Sequence, residues 1–240
     1  MHGLCLLISG GDFSPLPKEL YEADYVIACD KGWQYAERLG LSPDLILGDF
    51  DSVPPPMTSV PVEHFPTRKD DTDTMLAARR ALAMGYRDIA VACAFGGRFD
   101  HALANLQTAA FLASHGARTR LVGTDTDALA FAGANADALA FDRTDIDVRT
   151  FAGANTDAPA FVRTERFPRR DGWSLSVFAL SDICQGVSIR GTEYVCTDET
   201  LTNTFPIGIS NAWASEEAEI SVRSGILLVM HSKLQKGEHI

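Results

Sequence analysis

Nowhere in this chain do lysines and arginines gather into a run, and acidic residues outnumber basic ones by 32 to 21, for a formal net charge of −11. Nucleic acid is held by basic stripes, so it is not an expected partner. No apolar stretch approaches the roughly 20 residues that a membrane-spanning helix needs, which speaks against a membrane protein. The opening run, Met1-His-Gly-Leu-Cys-Leu-Leu-Ile-Ser9, carries no basic leader and no small-residue cleavage site, and reads as a first strand. Cysteine is sparse: Cys5, Cys29, Cys93, Cys184 and Cys196 are odd in number and scattered, mostly through apolar runs. They form neither a disulfide framework nor a zinc-ligand spacing, and point to buried thiols in a reducing cytoplasm. What remains is the composition of a soluble globular protein, with 240 residues to build one large or two small domains.

The most informative stretch is Asp44-Leu-Ile-Leu-Gly-Asp-Phe-Asp-Ser52. Leu45 to Leu47 form a short buried strand and Gly48 stops it. In extended geometry residues two apart point to one face, so Asp49 and Asp51 meet at the strand end. Like charges that close require a shared proton or a divalent cation. A solvated acidic turn would explain this pair alone. A second acidic group, Lys69-Asp-Asp-Thr-Asp73, also stands where the chain turns into a helix.

Continuous apolar runs at Leu4–Ile8, Tyr25–Cys29, Leu45–Leu47, Asp88–Ala94 and Arg118–Val122 alternate with helical patterns. That alternation predicts a doubly wound α/β domain with a mostly parallel sheet over residues 1–123. Its helices are expected over Trp33–Leu39, from an N-cap at Asp71 or Thr72 with Met75, Ala78, Leu82 and Tyr86 inward, and up to His115 with Leu103, Leu106, Ala110 and Ala113 inward. The prolines of Val53 to Pro66 predict a stiff extended connection. Residues 124–165 hold ten-residue units, each with Phe at its sixth position, and read as a repetitive insertion with short strands such as Leu129-Ala-Phe131 and Leu139-Ala-Phe141. Residues 166–240 show closely spaced strands at 174–179, 187–190, 208–211, 218–222 and 226–231, predicting an all-β sandwich or half-barrel.

Ligands of doubly wound sheets bind at the carboxyl ends of the strands. Here those ends carry Gly10-Gly11, Asp30-Lys-Gly32, Gly48-Asp-Phe-Asp51 and Phe95-Gly-Gly-Arg98. Several carboxylates from Asp49, Asp51 and Asp70, Asp71 and Asp73 can surround Mg2+, which prefers oxygen ligands and bridges to phosphate. Gly96-Gly97 leads into a helix N-terminus, which favours an anion, and Arg98 and Lys69 add cationic donors. His101 and Asn105 lie one helical turn apart on a face that would look into the same crevice. Each feature alone has a bland explanation: a turn, a surface ion pair or a solvated lysine. Their recurrence at consecutive strand ends has none.

These stretches, with Gly208-Ile-Ser-Asn211, resemble the motifs of the thiamin pyrophosphokinases, in that family's order. The resemblance implies transfer of a pyrophosphoryl group from ATP to the hydroxyethyl group of thiamin, giving thiamin diphosphate and AMP. It implies a homodimer with thiamin held at the junction of the two domains, partly by the neighbouring subunit. Carried onto this sequence, Asp49, Asp51 and Asp73 would hold Mg2+, and Arg98, His101, Gly96 and Gly97 would contact ATP, with Asp30, Gly32 and Asn105 in the same nucleotide site. Ser210 and Asn211 would lie in the thiamin pocket beside Asp73, and Tyr194 would stack on the pyrimidine. Lys69 and Arg98 would stabilise charge on the phosphoryl oxygens, and Asp71 or Asp73 could accept the alcohol proton. The segment from Thr124 to Arg163 departs from the family in its length and repetition. Two other readings stay open: the same Mg-ATP site serving another heterocyclic alcohol such as a hydroxymethylpterin, or a non-catalytic sensor of thiamin or nucleotide.

Overall fold

The computed structural model of the chain describes residues 3–51, 53–133, 162–235 and 237. The chain divides into two compact units, Met1–Leu112 with Ala117–Asp127, and Ala113–Gly116 with Ala128–Ile240.

In the first unit β1 (Leu4–Ile8), β2 (Tyr25–Cys29), β3 (Leu45–Gly48), β4 (Val62–His64), β5 (Asp88–Ala92) and β6 (Arg118–Val122) lie side by side in the order β4-β3-β2-β1-β5-β6. Every pairing is parallel. The central strands are almost wholly buried, as parallel strands covered on both faces must be. The order reverses between β1 and β5, and the switch point therefore falls at the carboxyl ends of those two strands. A 3-10 turn spans Lys18–Glu22, and the helices are α1 (Gly32–Leu39), α2 (Asp73–Ala83) and α3 (Phe99–Ser114). α1 ends at Gly40, in the left-handed conformation at φ 71°, and α2 begins at Thr72, whose hydroxyl accepts the Met75 N–H at 3.1 Å.

Three expectations for this unit need correction. The stiff proline connection contains a strand, β4, because Val62, Glu63 and His64 keep their N–H groups and an edge position leaves Pro61 nothing to donate. Ala78 and Tyr86 are buried as expected, but the inward face of α2 is completed by Thr74, Ala77 and Ala81, and Met75 and Leu82 are only partly covered. The small residues let the helix lie close to the sheet, which displaces the bulkier side chains to the flanks. α3 buries Ala113 as expected, but beside it Asn105, Thr108, Ala109 and Leu112, with Leu106 and Ala110 only partly covered and Leu103 exposed.

The second unit is antiparallel. β7 (Thr126–Ala132), which starts two residues before it, β13 (Ile226–Lys233) and β9 (Trp173–Ala179) are neighbours in one sheet. β8 (Arg163–Pro168), β10 (Ile183–Arg190), β11 (Cys196–Thr202) and β12 (Glu217–Val222) form another, in the order β11-β10-β12-β8. Leu129, Phe131, Leu175, Val177 and Leu227 from the first set pack against Phe167, Val187, Ile189 and Ile220 from the second, which makes a sandwich. The sequence pattern missed β8 and β11, whose residues are mostly charged or exposed. Conversely, the strand expected over 208–211 is a kinked segment lying on the edge of β9 through the bonds Val177 N–H to Gly208 O at 2.8 Å and Leu175 N–H to Asn211 O at 2.9 Å. Of the ten-residue units, Leu129-Ala-Phe131 lies in β7; Leu139-Ala-Phe141 and the rest up to residue 161 lie outside the described residues.

Candidate functional site

The polar residues of the first unit collect where its strands end. β2 hands over to Asp30, and β3 ends at Gly48 and is followed by Asp49, Phe50 and Asp51. Phe50 is buried beside Ala28 and Ile46 and tilts against His64, with ring centroids 4.7 Å apart. Anchoring that ring inward leaves Asp51 exposed, while the Asp49 carboxylate stays largely covered. Asp49 and Asp51 do converge, though not by strand alternation: Phe50 has a left-handed φ of 56°, and the turn is closed by the Asp51 N–H donating to Asp49 Oδ1 at 3.2 Å. A carboxylate oxygen from each of Asp30, Asp49 and Asp51 lies within 4.8 Å of the others.

Asp73 opens α2 and joins this group through a lysine. Lys69 Nζ lies 3.1 Å from Asp49 Oδ2 and 2.8 Å from Asp73 Oδ1. The tightest carboxylate group thus has Asp30 where the sequence expectation had Asp73. Asp71 is tied instead to Arg79 at 3.0 Å.

The electrostatics follow from this crowding. Burial raises the Asp30 carboxyl above its ordinary range, and the charges of Asp73, Asp49 and Asp51 add to that; one of its oxygens, Oδ1, is buried without a hydrogen-bond partner. Asp73 is raised by burial too, only partly offset by Lys69. For Asp49 burial also pushes upward, but the bonds from Lys69 and the Asp51 N–H outweigh it and hold the carboxyl low. Lys69 loses to burial and gains more from Asp73 and Asp49, so its ammonium is held. Oxygen-only donors, a shortage of compensating positive charge and an orphaned carboxylate oxygen fit a hard divalent cation.

At the switch point, Gly96 and Gly97 have φ of 84° and 64° and lead into α3; a side chain on Gly96 would strike the Asp12 carboxyl. Arg98 pairs with Asp100 at 2.5 Å and is exposed, and the exposed His101 donates its backbone N–H to Asp100 Oδ1 at 3.0 Å. Asn105 faces inward: its amide donates to Ala94 O at 2.8 Å and to Ser9 Oγ at 3.4 Å, and Ser9 meets Thr74 Oγ1 at 2.9 Å. This buried polar chain, linking β1, α2 and α3, was missed by the sequence reading, since nothing in a lone Ser or Thr marks it. Gly32 lets α1 start flush against β1, where a side chain would strike Ile8 O.

The second unit brings Tyr194, Ser210 and Asn211 together. Asn211 is buried, donates to Tyr194 O at 2.6 Å and accepts the Tyr194 N–H at 3.0 Å. Ser210, left-handed at φ 55°, is fixed by Ser176 Oγ, which accepts its N–H at 3.0 Å. Tyr194 is 71% exposed, and Val195, Phe205, Ile207 and Ile209 are exposed to lesser degrees. A groove of about 50 Å³ runs between Val177, Leu201, Phe205 and Ile207.

Residues 16–121 match the family model described as thiamin pyrophosphokinase, catalytic domain, and residues 166–227 the one described as thiamin pyrophosphokinase, vitamin B1 binding domain. Together the two take in well over half of the chain. Among solved structures the fold is similar to a thiamine pyrophosphokinase from Bacillus subtilis, at TM-score 0.73 and 20% identity over 96% of this chain and 99% of that one. It is similar to one from Geobacillus thermodenitrificans at TM-score 0.71 and 19% identity, over 99% and 100%. A third, from Candida albicans, gives TM-score 0.67 and 13% identity over 97% and 89%. No curated protein matches the sequence.

Proposed function

The chain belongs to the thiamin pyrophosphokinase family, and from that premise we propose that it transfers the pyrophosphoryl group of ATP to the hydroxyethyl group of thiamin, releasing AMP. The observation that carries the reading is the convergence of Asp30, Asp49 and Asp51, with Asp73 one lysine away, at strand ends of a doubly wound sheet. Four carboxylates in one crevice, two of them on the single ammonium of Lys69, are a poor device for binding an uncharged ligand. They suit a cation that will carry a polyphosphate.

Attack of a primary alcohol on the β-phosphorus in line with departing AMP needs alignment and charge neutralisation more than covalent chemistry. Mg2+, held by Asp49 and Asp51 with Asp30 or Asp73, would supply Lewis-acid neutralisation of the phosphoryl oxygens. The chain's own residues do the rest. The N-terminus of α3 and the Gly96-Gly97 turn offer backbone N–H groups to phosphate, and Arg98 adds a forked donor once it exchanges Asp100 for the nucleotide. Each of Asp71 and Asp73 holds an ion-pair partner, Arg79 and Lys69 respectively, and burial raises the carboxyl of Asp73, which makes Asp73 the candidate to take the alcohol proton once Lys69 turns to the polyphosphate. Tyr194 presents a ring for the pyrimidine, with Asn211 fixing the backbone that carries it.

The match of residues 166–227 to a vitamin B1 binding domain favours thiamin over a pterin as acceptor. Its exposed apolar residues support a homodimer, and no helix among the described residues is long and apolar enough to cross a membrane. We place the enzyme in the cytoplasm, where its five free thiols would stay reduced. Incubation with thiamin, ATP and Mg2+ and mass detection of products tests the proposal. Thiamin diphosphate and AMP in equal amounts are expected; ADP, or a diphosphorylated pterin when that alcohol is offered instead, would refute it.

A further inference from the structure

Lys69 stands where a phosphate-binding lysine would not be expected to rest. Its ammonium bridges the end of β3 to the first turn of α2, 3.1 Å from Asp49 and 2.8 Å from Asp73. The side chains of Lys69, Asp49 and Asp73 are only 14, 12 and 20% exposed, so bulk water screens these charges weakly. Asp49 is at the same time one of the three residues whose oxygens converge within 4.8 Å. The ammonium and a divalent ion in that cradle would therefore draw on the same carboxylate, and each would repel the other.

We propose that Lys69 is a built-in counter-ion that competes with the divalent cation for Asp49 and Asp73, holding the cradle together before the ion arrives and setting how tightly the ion is taken up. The inference rests on the reading of the cradle as a divalent-cation site. It explains why a lysine lies within the acidic group when a longer stem or a position on α3 would serve phosphate alone. Its release from Asp49 on ion uptake leaves an ammonium on the amino-terminal side of α2, available to the polyphosphate. Lys69 is thereby a positioning residue for the ion.

The test is a Mn2+ titration of the full-length chain without nucleotide, followed by electron paramagnetic resonance of the free ion, in wild type, Lys69→Met and Lys69→Arg. Lys69→Met is expected to bind Mn2+ about tenfold more tightly, since one repelling charge is removed from a weakly screened site. Lys69→Arg keeps the charge and is expected within about twofold of wild type. A folded Lys69→Met that binds Mn2+ no more tightly than wild type overturns the inference. Where Lys69→Met loses its fold, Mn2+ is expected to restore it, as read by the thermal transition, and failure to do so counts equally against it. Wild type that binds no Mn2+, with or without ATP, would overturn the cradle itself; a binding wild type with no gain in Lys69→Met overturns only the role given to the lysine.

Discussion

Asp30, Phe50 and Cys93 take left-handed backbone conformations, at φ 45°, 56° and 53°, directly after β2, at the end of β3 and directly after β5. Such residues cost about 1–3 kcal/mol each and persist only where the surroundings fix them. Here the kinks aim side chains that a straight strand would send elsewhere, which is how Asp30 reaches Asp49 and Asp51. The sequence showed that carboxylates gather at strand ends, because Asp-x-Asp after an aliphatic run is visible as a pattern. It hid Asp30 as a member of the group, because only glycine announces a positive φ in advance. Asp49→Asn and Asp73→Asn are each expected to lower AMP release by at least about a hundredfold while unfolding stays cooperative, since each removes charge that the transferring group requires. Turnover near wild type in either variant would remove that residue from the mechanism. The buried thiols give a second expectation. Burial, aided by Asp44, pushes Cys5 up to about 12, and burial with Asp73 raises Cys29 well above the ordinary thiol range. An unfolded thiol ionises near about 8.5, so above that pH the unfolded chain releases protons that the native chain keeps. Stability should therefore fall as pH rises past about 9, by up to about 1.4 kcal/mol per pH unit for each thiol. Urea midpoints at rising pH measure the slope, and Cys29→Ala should flatten it; an unchanged slope would assign the loss to other groups.

α2 and α3 carry the site, and each is positioned by small or polar residues instead of a bulky apolar stripe. The continuous runs of β1, β2, β3, β5 and β6 were legible because a strand buried on both faces needs apolar residues throughout. The rotation of both helices was not, since alanine lies next to larger apolar side chains on either and composition alone cannot say which face comes close. β8 and β11 were hidden for the opposite reason: charged edge strands read as loops. Asn105 illustrates the consequence for function. It was expected to touch ATP, yet its amide spans Ala94 O and Ser9 Oγ in the interior. Asn105→Ala should lower stability by about 1–3 kcal/mol, because it leaves a buried carbonyl and hydroxyl short of a partner. A variant with an unchanged thermal midpoint and a raised KM for ATP would restore the nucleotide contact. Thr72→Ala, by contrast, removes only the cap of α2 and should cost about 1 kcal/mol. Because that cap fixes the first turn of α2, which carries Asp73, the same variant should also weaken divalent-cation binding.

At the scale of the molecule, a net charge of −11 keeps copies of this chain apart unless apolar area draws them together. The second unit provides such area: Tyr194, Val195, Phe205, Ile207 and Ile209 are all at least half exposed. Single exposed apolar residues need no explanation, but their concentration over 194–195 and 205–209 makes these segments the candidates for the homodimer contact proposed above. A second copy of the chain is the occupant that the proposed function predicts. Sedimentation equilibrium should give a dimer for the wild type, and Phe205→Asp with Ile207→Asp should shift it toward monomer. If the surface also supports the thiamin pocket, the monomeric double variant should raise KM for thiamin while leaving ATP affinity within about twofold, because the residues proposed for the nucleotide belong to the first unit. A double variant that stays dimeric would exclude this surface as the interface, and one that becomes monomeric with full affinity for thiamin would show that the pocket needs no neighbouring subunit.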